Sequence, residues 1–367
     1  MRAIIATLAL FWSFPVCAQE YVINAFGASS RYNIFTVGAD GWVNSFAPLP
    51  APPGSVHTAW PSGIARNGTT TVYATVYLSR WDAVGRWSRT GSQWTYNGSV
   101  FASSSVEPHG IGPTWVGYDT VTSQFLMYYV ALNSSQVGAT IRLATSSDGI
   151  AWTRGGVVVS AGGPQSAGGL SMSYACRDDD GRYLLAYHGY DVSLQKGIAL
   201  LATAGAPDGP FTTAPTLMRG DGWESTAWGR TGNSILALPA GASVPLGIPL
   251  LLPGGEVSVA QKQVGAIAHL SWPLRQDFSW LPIVSSGKNK VDPSYIKRTD
   301  AGWTGIWTLY GGIANRTAEY AVEVTAPSLA GPWTFSRTGL AIIPFFPEWQ
   351  QSAENPQPIV SDMSCRS

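Results

Sequence analysis

Short apolar runs of four to six residues, broken by small polar turns, recur along the whole chain. Thr140 to Thr145 alternates apolar and polar positions, stops at Ser146-Ser147-Asp148-Gly149, and resumes at Trp152. That pattern predicts strand, tight turn and returning strand, because glycine tolerates positive φ and aspartate bonds its own backbone. Five variants follow the same plan: Gly38-Ala39-Asp40-Gly41-Trp42, Thr90-Gly91-Ser92-Gln93-Trp94, Ala206-Pro207-Asp208-Gly209-Pro210-Phe211, Arg275-Gln276-Asp277-Phe278-Ser279-Trp280 and Leu329-Ala330-Gly331-Pro332-Trp333. Their closing aromatics are 52 to 69 residues apart.

A second marker keeps the same period. Trp60-Pro61-Ser62, Gly112-Pro113-Thr114, Ser171-Met172-Ser173, Glu224-Ser225-Thr226, Asp292-Pro293-Ser294 and Asn355-Pro356-Gln357 align without gaps, each opening the strand that leads a unit. Five residues beyond the proline position stands Arg66, Arg177, Arg230 or Arg298 in four units, followed by a turn such as Asp178-Asp179-Asp180-Gly181. An apolar strand then returns, as in Tyr183-Leu184-Leu185-Ala186-Tyr187, and a third enters the hairpin. Four antiparallel strands per unit predict the blades of an all-β propeller, with the lead strand innermost.

The last lead, at Asn355, has no strands after it, whereas residues 21 to 48 have strands but no lead. Joining the two makes one blade and removes a sheet edge. Six blades closed by the N- and C-terminal strands are therefore expected, five blades with terminal extensions being the alternative. Residues 239 to 259 read as a loop or lid.

Composition agrees with one large β domain. The 367 residues include 41 glycines, 25 prolines and 16 tryptophans, and Lys+Arg and Asp+Glu both number 22. With no net charge there is no field to draw nucleic acid or an anionic membrane. Residues 1–18 read as a secretory signal peptide: Arg2, an apolar run from Ala3 to Phe14, then Val16-Cys17-Ala18. The expected domains are thus a 1–18 signal peptide and a 19–367 propeller, secreted or periplasmic, without a membrane span and monomeric. A lipid anchor on Cys17 is the alternative. Cys176 and Cys365 then remain, an even pair that permits a disulfide in an exported protein, free thiols being the other reading. Neither cysteine has zinc-site spacing with histidine.

Strand direction sorts the candidate chemistry. The lead residues, the connections between blades and the loops joining second to third strands share one mouth of the channel. The Asp-Gly hairpins and repeated arginines share the other, about 20 Å away. At the lead mouth fall Trp60, Glu224, Asp292 and Asn355, with His57, Glu107, His109 and Trp223 just before leads and His188 and Asp191 after a second strand. Carboxylates on an inner strand are costly unless solvated, paired or used. Glu224 and Asp292 lead consecutive units, and paired carboxylates suit glycoside hydrolysis, one protonating the leaving oxygen and the other activating water or attacking. Each can equally bond neighbouring amides in the channel. Trp60, Trp115, Trp223 and Trp228 offer flat faces for sugar rings, although most tryptophans must fill space between blades.

Val291-Asp292-Pro293-Ser294-Tyr295-Ile296, Ser146-Ser147-Asp148-Gly149-Ile150-Ala151-Trp152 and Leu329-Ala330-Gly331-Pro332-Trp333 together resemble the secreted glycosidase propellers, the arabinanase, xylosidase and fructosidase superfamily. Trp223-Glu224-Ser225 looks like its general-acid segment, Asp292-Pro293 looks like its Asp-Pro lead, and Tyr187-His188-Gly189-Tyr190-Asp191 is similar to a segment of mannoside phosphorylases. The resemblance implies a glycoside hydrolase acting on a neutral or weakly charged oligo- or polysaccharide, with Glu224 as acid and Asp292 as base or nucleophile, and the position at the same mouth makes Trp60, Glu107, His109, His188, Asp191, Trp223 and Asn355 the substrate-binding candidates. It implies no required cofactor, with calcium in the central channel as an option. The superfamily is five-bladed and carries an acid where this chain has Trp60, and Gly112 and Ser171 fill two further acid positions. Six-bladed sialidases would need arginines at the lead mouth. A glycan-binding propeller without catalysis is the rival reading, and a polysaccharide lyase using His109 or His188 a third.

Overall fold

The computed structural model describes residues 21–26, 32–37, 47–133, 138–162, 166–192, 196–213, 290–313, 316–329, 333–335, 341–342 and 352–365. All regular elements among these are strands. In chain order they are β1 (Tyr21–Phe26), β2 (Tyr32–Val37), β3 (Ala47–Pro48), β4 (His57–Arg66), β5 (Thr69–Tyr77), β6 (Trp81–Thr90), β7 (Gln93–Ala102), β8 (Ile111–Asp119), β9 (Gln124–Leu132), β10 (Gly138–Ser146), β11 (Thr153–Ser160), β12 (Leu170–Arg177), β13 (Tyr183–Asp191), β14 (Lys196–Ala204), β15 (Thr212–Thr213), β16 (Lys290–Thr299), β17 (Gly302–Ile313), β18 (Arg316–Ala326), β19 (Thr334–Phe335), β20 (Ala341–Ile342) and β21 (Ser352–Val360).

Among the described residues the units are four-stranded antiparallel meanders. The sets are β4 to β7, β8 to β11, β12 to β15, and β16 to β18 with β19. A further set forms across the termini, since β21 pairs antiparallel with β1, placing Pro358 opposite Tyr21 and Gln357 opposite Val22, and β2 and β3 follow outward. The hairpin chemistry is as the residues dictate. Asp148 Oδ1 accepts from the amides of Ile150 at 2.8 Å and Ala151 at 2.9 Å, and Gly149 sits at φ 71°.

Alternation along β5 explains why no sheet stands alone. Val72, Ala74 and Val76 face one way, into a cluster with Val22, Leu49, Trp87 and Ile359 of the β21 sheet and its own. Tyr73 faces the other way, into a cluster with Ile111, Val116, Met127 and Tyr129 of the next sheet. Both faces are dry, so each sheet needs two neighbours, and each fully buried side chain of this size contributes roughly 1.5–3 kcal/mol.

The inner strands touch in sequence: β21 meets β4, β4 meets β8, β8 meets β12, β12 meets β16 and β16 meets β21. The sequence expectation set a unit led by Glu224 between those of β12 and β16. In the described residues these two are direct neighbours, with the Tyr174 and Tyr295 rings 5.0 Å apart and Arg298 3.3 Å from Asp179. Residues 214–289, Trp223, Glu224, Trp228, Arg230 and the 239–259 insertion included, lie outside the described residues, as do residues 1–20.

Candidate functional site

One irregularity repeats in every described inner strand. Trp60 and Pro61 together oppose a single residue of β5, Gly112 and Pro113 a single residue of β9, and Asn355 and Pro356 a single residue of β1. In β12 and β16 the additional residue is Ser173 and Ser294. All five bulges fall within the aligned lead triplets. Proline, with no N–H to give the ladder, accounts for the position in four of them. A bulge bends the strand and re-aims side chains, which is why bulges gather beside functional sites. Here they ring one mouth, because β21 runs parallel to its neighbour β4, with Ile359 beside Gly63 and Val360 beside Ile64. The sequence signal was the repeated proline inside an otherwise apolar strand.

This rim collects several of the candidates. Asp292 lies on β16 opposite Thr308, Asn355 lies in the β21 bulge, and Asp191 ends β13 opposite Lys196. These are backbone placements. His188 pairs with Ser171, the first lead residue of its unit, and its side chain is buried. The two described inner neighbours of β16 are β12 and β21. Asp292 therefore has Ser171 and Asn355 as flanking lead positions, and its expected proximity to Glu224 lies outside the described residues.

Glu107 differs from what the sequence suggested. Its carboxylate is wholly enclosed rather than presented to a ligand. The Tyr129 hydroxyl donates to Oε1 at 2.6 Å, Ser104 donates through Oγ at 2.7 Å and its amide at 3.1 Å to Oε2, and Arg154 Nε donates to both oxygens at 3.3 Å. Burial pushes the carboxyl pKa up, but the bonds from Tyr129, Ser104 and Arg154 outweigh it and hold the group below its ordinary value. Glu107 thus anchors the loop from Ser103 to Gly110. That loop is tied to the start of β6 and the turn before it: the Ser103 amide donates to the Asp82 carbonyl at 2.7 Å, and Arg80 Nη1 donates to the Pro108 carbonyl at 3.0 Å. Gly110, at φ 111°, lies so close to the Trp81 carbonyl that a Cβ would collide with it. Exposed His109 is held between these two contacts.

Beside the loop stands an aromatic wall. Trp60 is 4.5 Å from Trp81 between ring centroids, Tyr77 is 5.0 Å from Trp81, and His57 is 5.5 Å from Tyr77 and 6.3 Å from Trp81. All four are partly exposed. Trp60 adopts φ 55°, a left-handed conformation that is uncommon for a bulky residue. Trp115, also a sugar-stacking candidate, is instead buried against Tyr174 of the next sheet, 5.5 Å away, and serves packing. Trp81 and Tyr77 were missed. Their place in the connection between second and third strands, at the lead mouth, was the available signal.

The opposite end is closed by the C-terminal segment. Met363 donates its amide to the Tyr118 carbonyl at 2.9 Å and accepts from Arg177 at 2.7 Å; Cys365 donates to Arg177 at 2.9 Å and accepts from Arg298 at 2.7 Å. Cys365 is disulfide-bonded to Cys176. The repeated arginines work here as structural cations, Arg66 lying 3.4 Å over the Tyr118 ring and Arg298 against Asp179. Among the described residues no three His, Cys, Asp or Glu side chains converge as a metal site, and no helix is long and apolar enough to cross a membrane.

No protein-family model and no curated protein sequence matches the chain. Solved structures similar to it include glycoside hydrolases and a β-1,2-mannobiose phosphorylase of Listeria innocua. One described only as a glycoside hydrolase has TM-score 0.49 and 8% identity, with 83% of this chain and 76% of that chain covered. A thermostable family-43 glycoside hydrolase has TM-score 0.46 and 10% identity, covering 78% and 74%. A family 117 glycoside hydrolase of the marine bacterium Zobellia galactanivorans has TM-score 0.45 and 12% identity, covering 86% and 78%.

Proposed function

We propose that this chain is an exported, monomeric glycoside hydrolase whose substrate, a neutral or weakly charged glycan, binds at the bulged mouth of a β-propeller. The ring of lead-position bulges supports this most directly, since it sets Asp292 of β16 on the same rim as the Trp60 wall of β4. Contact between the β12 and β16 sheets favours five blades over six, closed by the pairing of β21 with β1. The Cys176 to Cys365 bridge favours an oxidising compartment, as the apolar N-terminal run does.

In this reading Asp292 is base or nucleophile and Glu224 the general acid, a pair whose separation sets inversion or retention. Asn355, Asp191, Trp223 and His109 would meet substrate, whereas Glu107 acts through the loop it anchors. Calcium in the channel would need several oxygen ligands, and among the described residues no cluster of three acidic, histidine or cysteine side chains is formed to supply them. The enclosed, saturated Glu107 and the acid-free leads Gly112 and Ser171 favour, as the second reading, a propeller that binds glycan without cleaving it. Incubating the protein with a glycan panel while following reducing ends and ultraviolet absorbance separates the cases. Reducing ends alone support hydrolysis, both signals indicate a lyase, and neither leaves the binding module.

A further inference from the structure

Among the described residues most aromatic side chains are buried. Trp87 is 0% exposed and Trp115 2%. The group formed by His57, Trp60, Tyr77 and Trp81 behaves otherwise: four aromatic rings from one sheet meet at its lead end and all keep exposure. Packing alone does not call for a bulky residue in left-handed conformation at Trp60, which costs about 1 kcal/mol or more and persists only where the surroundings impose it. The surroundings here are rigid. The Trp81 carbonyl is butted by Gly110, and the Gly110 loop is pinned through Glu107 to Tyr129 and Arg154.

We propose that this wall is a subsite for one uncharged sugar ring of the glycan, stacked on Trp81 and Trp60, a reading that rests on the glycan assignment of the same rim. Aromatic faces meet the C–H face of a sugar, while the indole N–H, phenol and imidazole at their edges are placed to bond ring hydroxyls. Charge sets the class of sugar. Arg80, the cation nearest Trp81 in sequence, is already paired with Asp82 and the Pro108 carbonyl, so it is not offered to a uronate or sialate carboxylate. Stacking needs no acid at the Trp60 position, which is where the glycosidase propellers carry one. The first lead of this chain thus holds substrate rather than reacting with it.

Affinity electrophoresis of the full chain through gels containing soluble arabinan, galactan, mannan or polygalacturonate tests the subsite without requiring turnover. Retardation is expected with at least one neutral polysaccharide and not with polygalacturonate. Trp81→Ala should weaken that retardation about tenfold or more, Trp81→Phe should keep most of it, and Val121→Ala, on the exposed turn between β8 and β9, should leave it unchanged. If Trp81→Ala fails to fold by circular dichroism, Trp81→Leu keeps the apolar bulk and removes the flat face. Unaltered retardation in the Trp81 variants, retardation by polygalacturonate alone, or none with any polymer overturns the proposal. Retardation that follows Trp81 in a protein releasing no reducing ends would sink the hydrolase reading and leave this subsite standing.

Discussion

Tyr129 and Glu107 are bound 2.6 Å apart in the core between two sheets, and through them a surface loop is fastened to a central strand. Glu107→Ala strands the Arg154 guanidinium and the Tyr129 hydroxyl. Loss of about 3 kcal/mol of stability is expected, in line with breaking a buried ion pair, and denaturant unfolding measures it. Because the loop also braces Trp81, glycan retention should weaken in the same variant even where it stays folded.

The same pair sets a pH dependence. Glu107 has a folded pKa held below its ordinary 4.5, so its contribution is complete above that value and is lost as pH falls through the lower folded one. Asp119 acts in the same direction. Burial raises its pKa, but bonds from the Tyr183 hydroxyl, Thr122 and the Val121 and Thr122 amides outweigh that. Thermal unfolding between pH 6 and 3 should show stability falling on the acid side. Glu107→Gln should flatten that fall, and a parallel curve would contradict it.

Much of this was legible in the residues. Turn chemistry marked the hairpins, the shared period marked the blades, and the unmatched strands at the two ends foretold the pairing of β21 with β1. Glu107 was misread because its neighbours come from afar. Nothing near it in sequence reveals that Tyr129 and Arg154, 22 and 47 positions away, converge on its carboxylate. The unit led by Glu224 lies outside the described residues, and a lead triplet alone repeats only a local pattern, whereas the place of a strand in the ring depends on the contacts its neighbours make.

Gly149 carries a constraint beyond its turn. The Tyr73 hydroxyl, its pKa pushed up to about 12 by burial, donates to the Gly149 carbonyl at 2.9 Å, so the hairpin of one sheet is docked on the core of another. An added Cβ would collide with that hydroxyl and meet a positive φ. Gly149→Ala should cost about 2 kcal/mol, whereas Gly91→Ala, with open space around it, should cost only its backbone strain, about 1 kcal/mol. Equal losses in the two variants would show that docking adds nothing.

The bridge from Cys176 to Cys365 spans 189 residues and holds the C-terminal segment across the ends of β12 and β16. Loop-closure entropy for so long a span amounts to about 5 kcal/mol at most. Cys176→Ala with Cys365→Ala should therefore lower the melting temperature by many degrees, and reductant should lower the native protein but not the variant. A reductant effect of the same size on both would place the stabilisation elsewhere.

Asp292 and Glu224 give the most discriminating chemical test, because their assigned roles respond differently to the leaving group. A general acid matters when the departing oxygen is a poor leaving group, so Glu224→Gln should lose at least about a hundredfold on natural glycans and much less on activated aryl glycosides. A base or nucleophile is needed whatever departs, so Asp292→Asn should abolish both reactions. Amide replacements keep side-chain shape, and unchanged melting temperatures would confirm that the losses are chemical. External azide adds a further arm. If Asp292 is a nucleophile, Glu224→Gln should be partly rescued on aryl glycosides, since azide attacks the glycosyl intermediate without needing the missing base. If Asp292 is the base of an inverting enzyme, azide should instead restore some turnover to a Gly or Ala variant at 292, entering where the activated water had been. Full activity of either amide variant on a natural glycan would remove the acid and base assignment and leave the mouth as a binding surface.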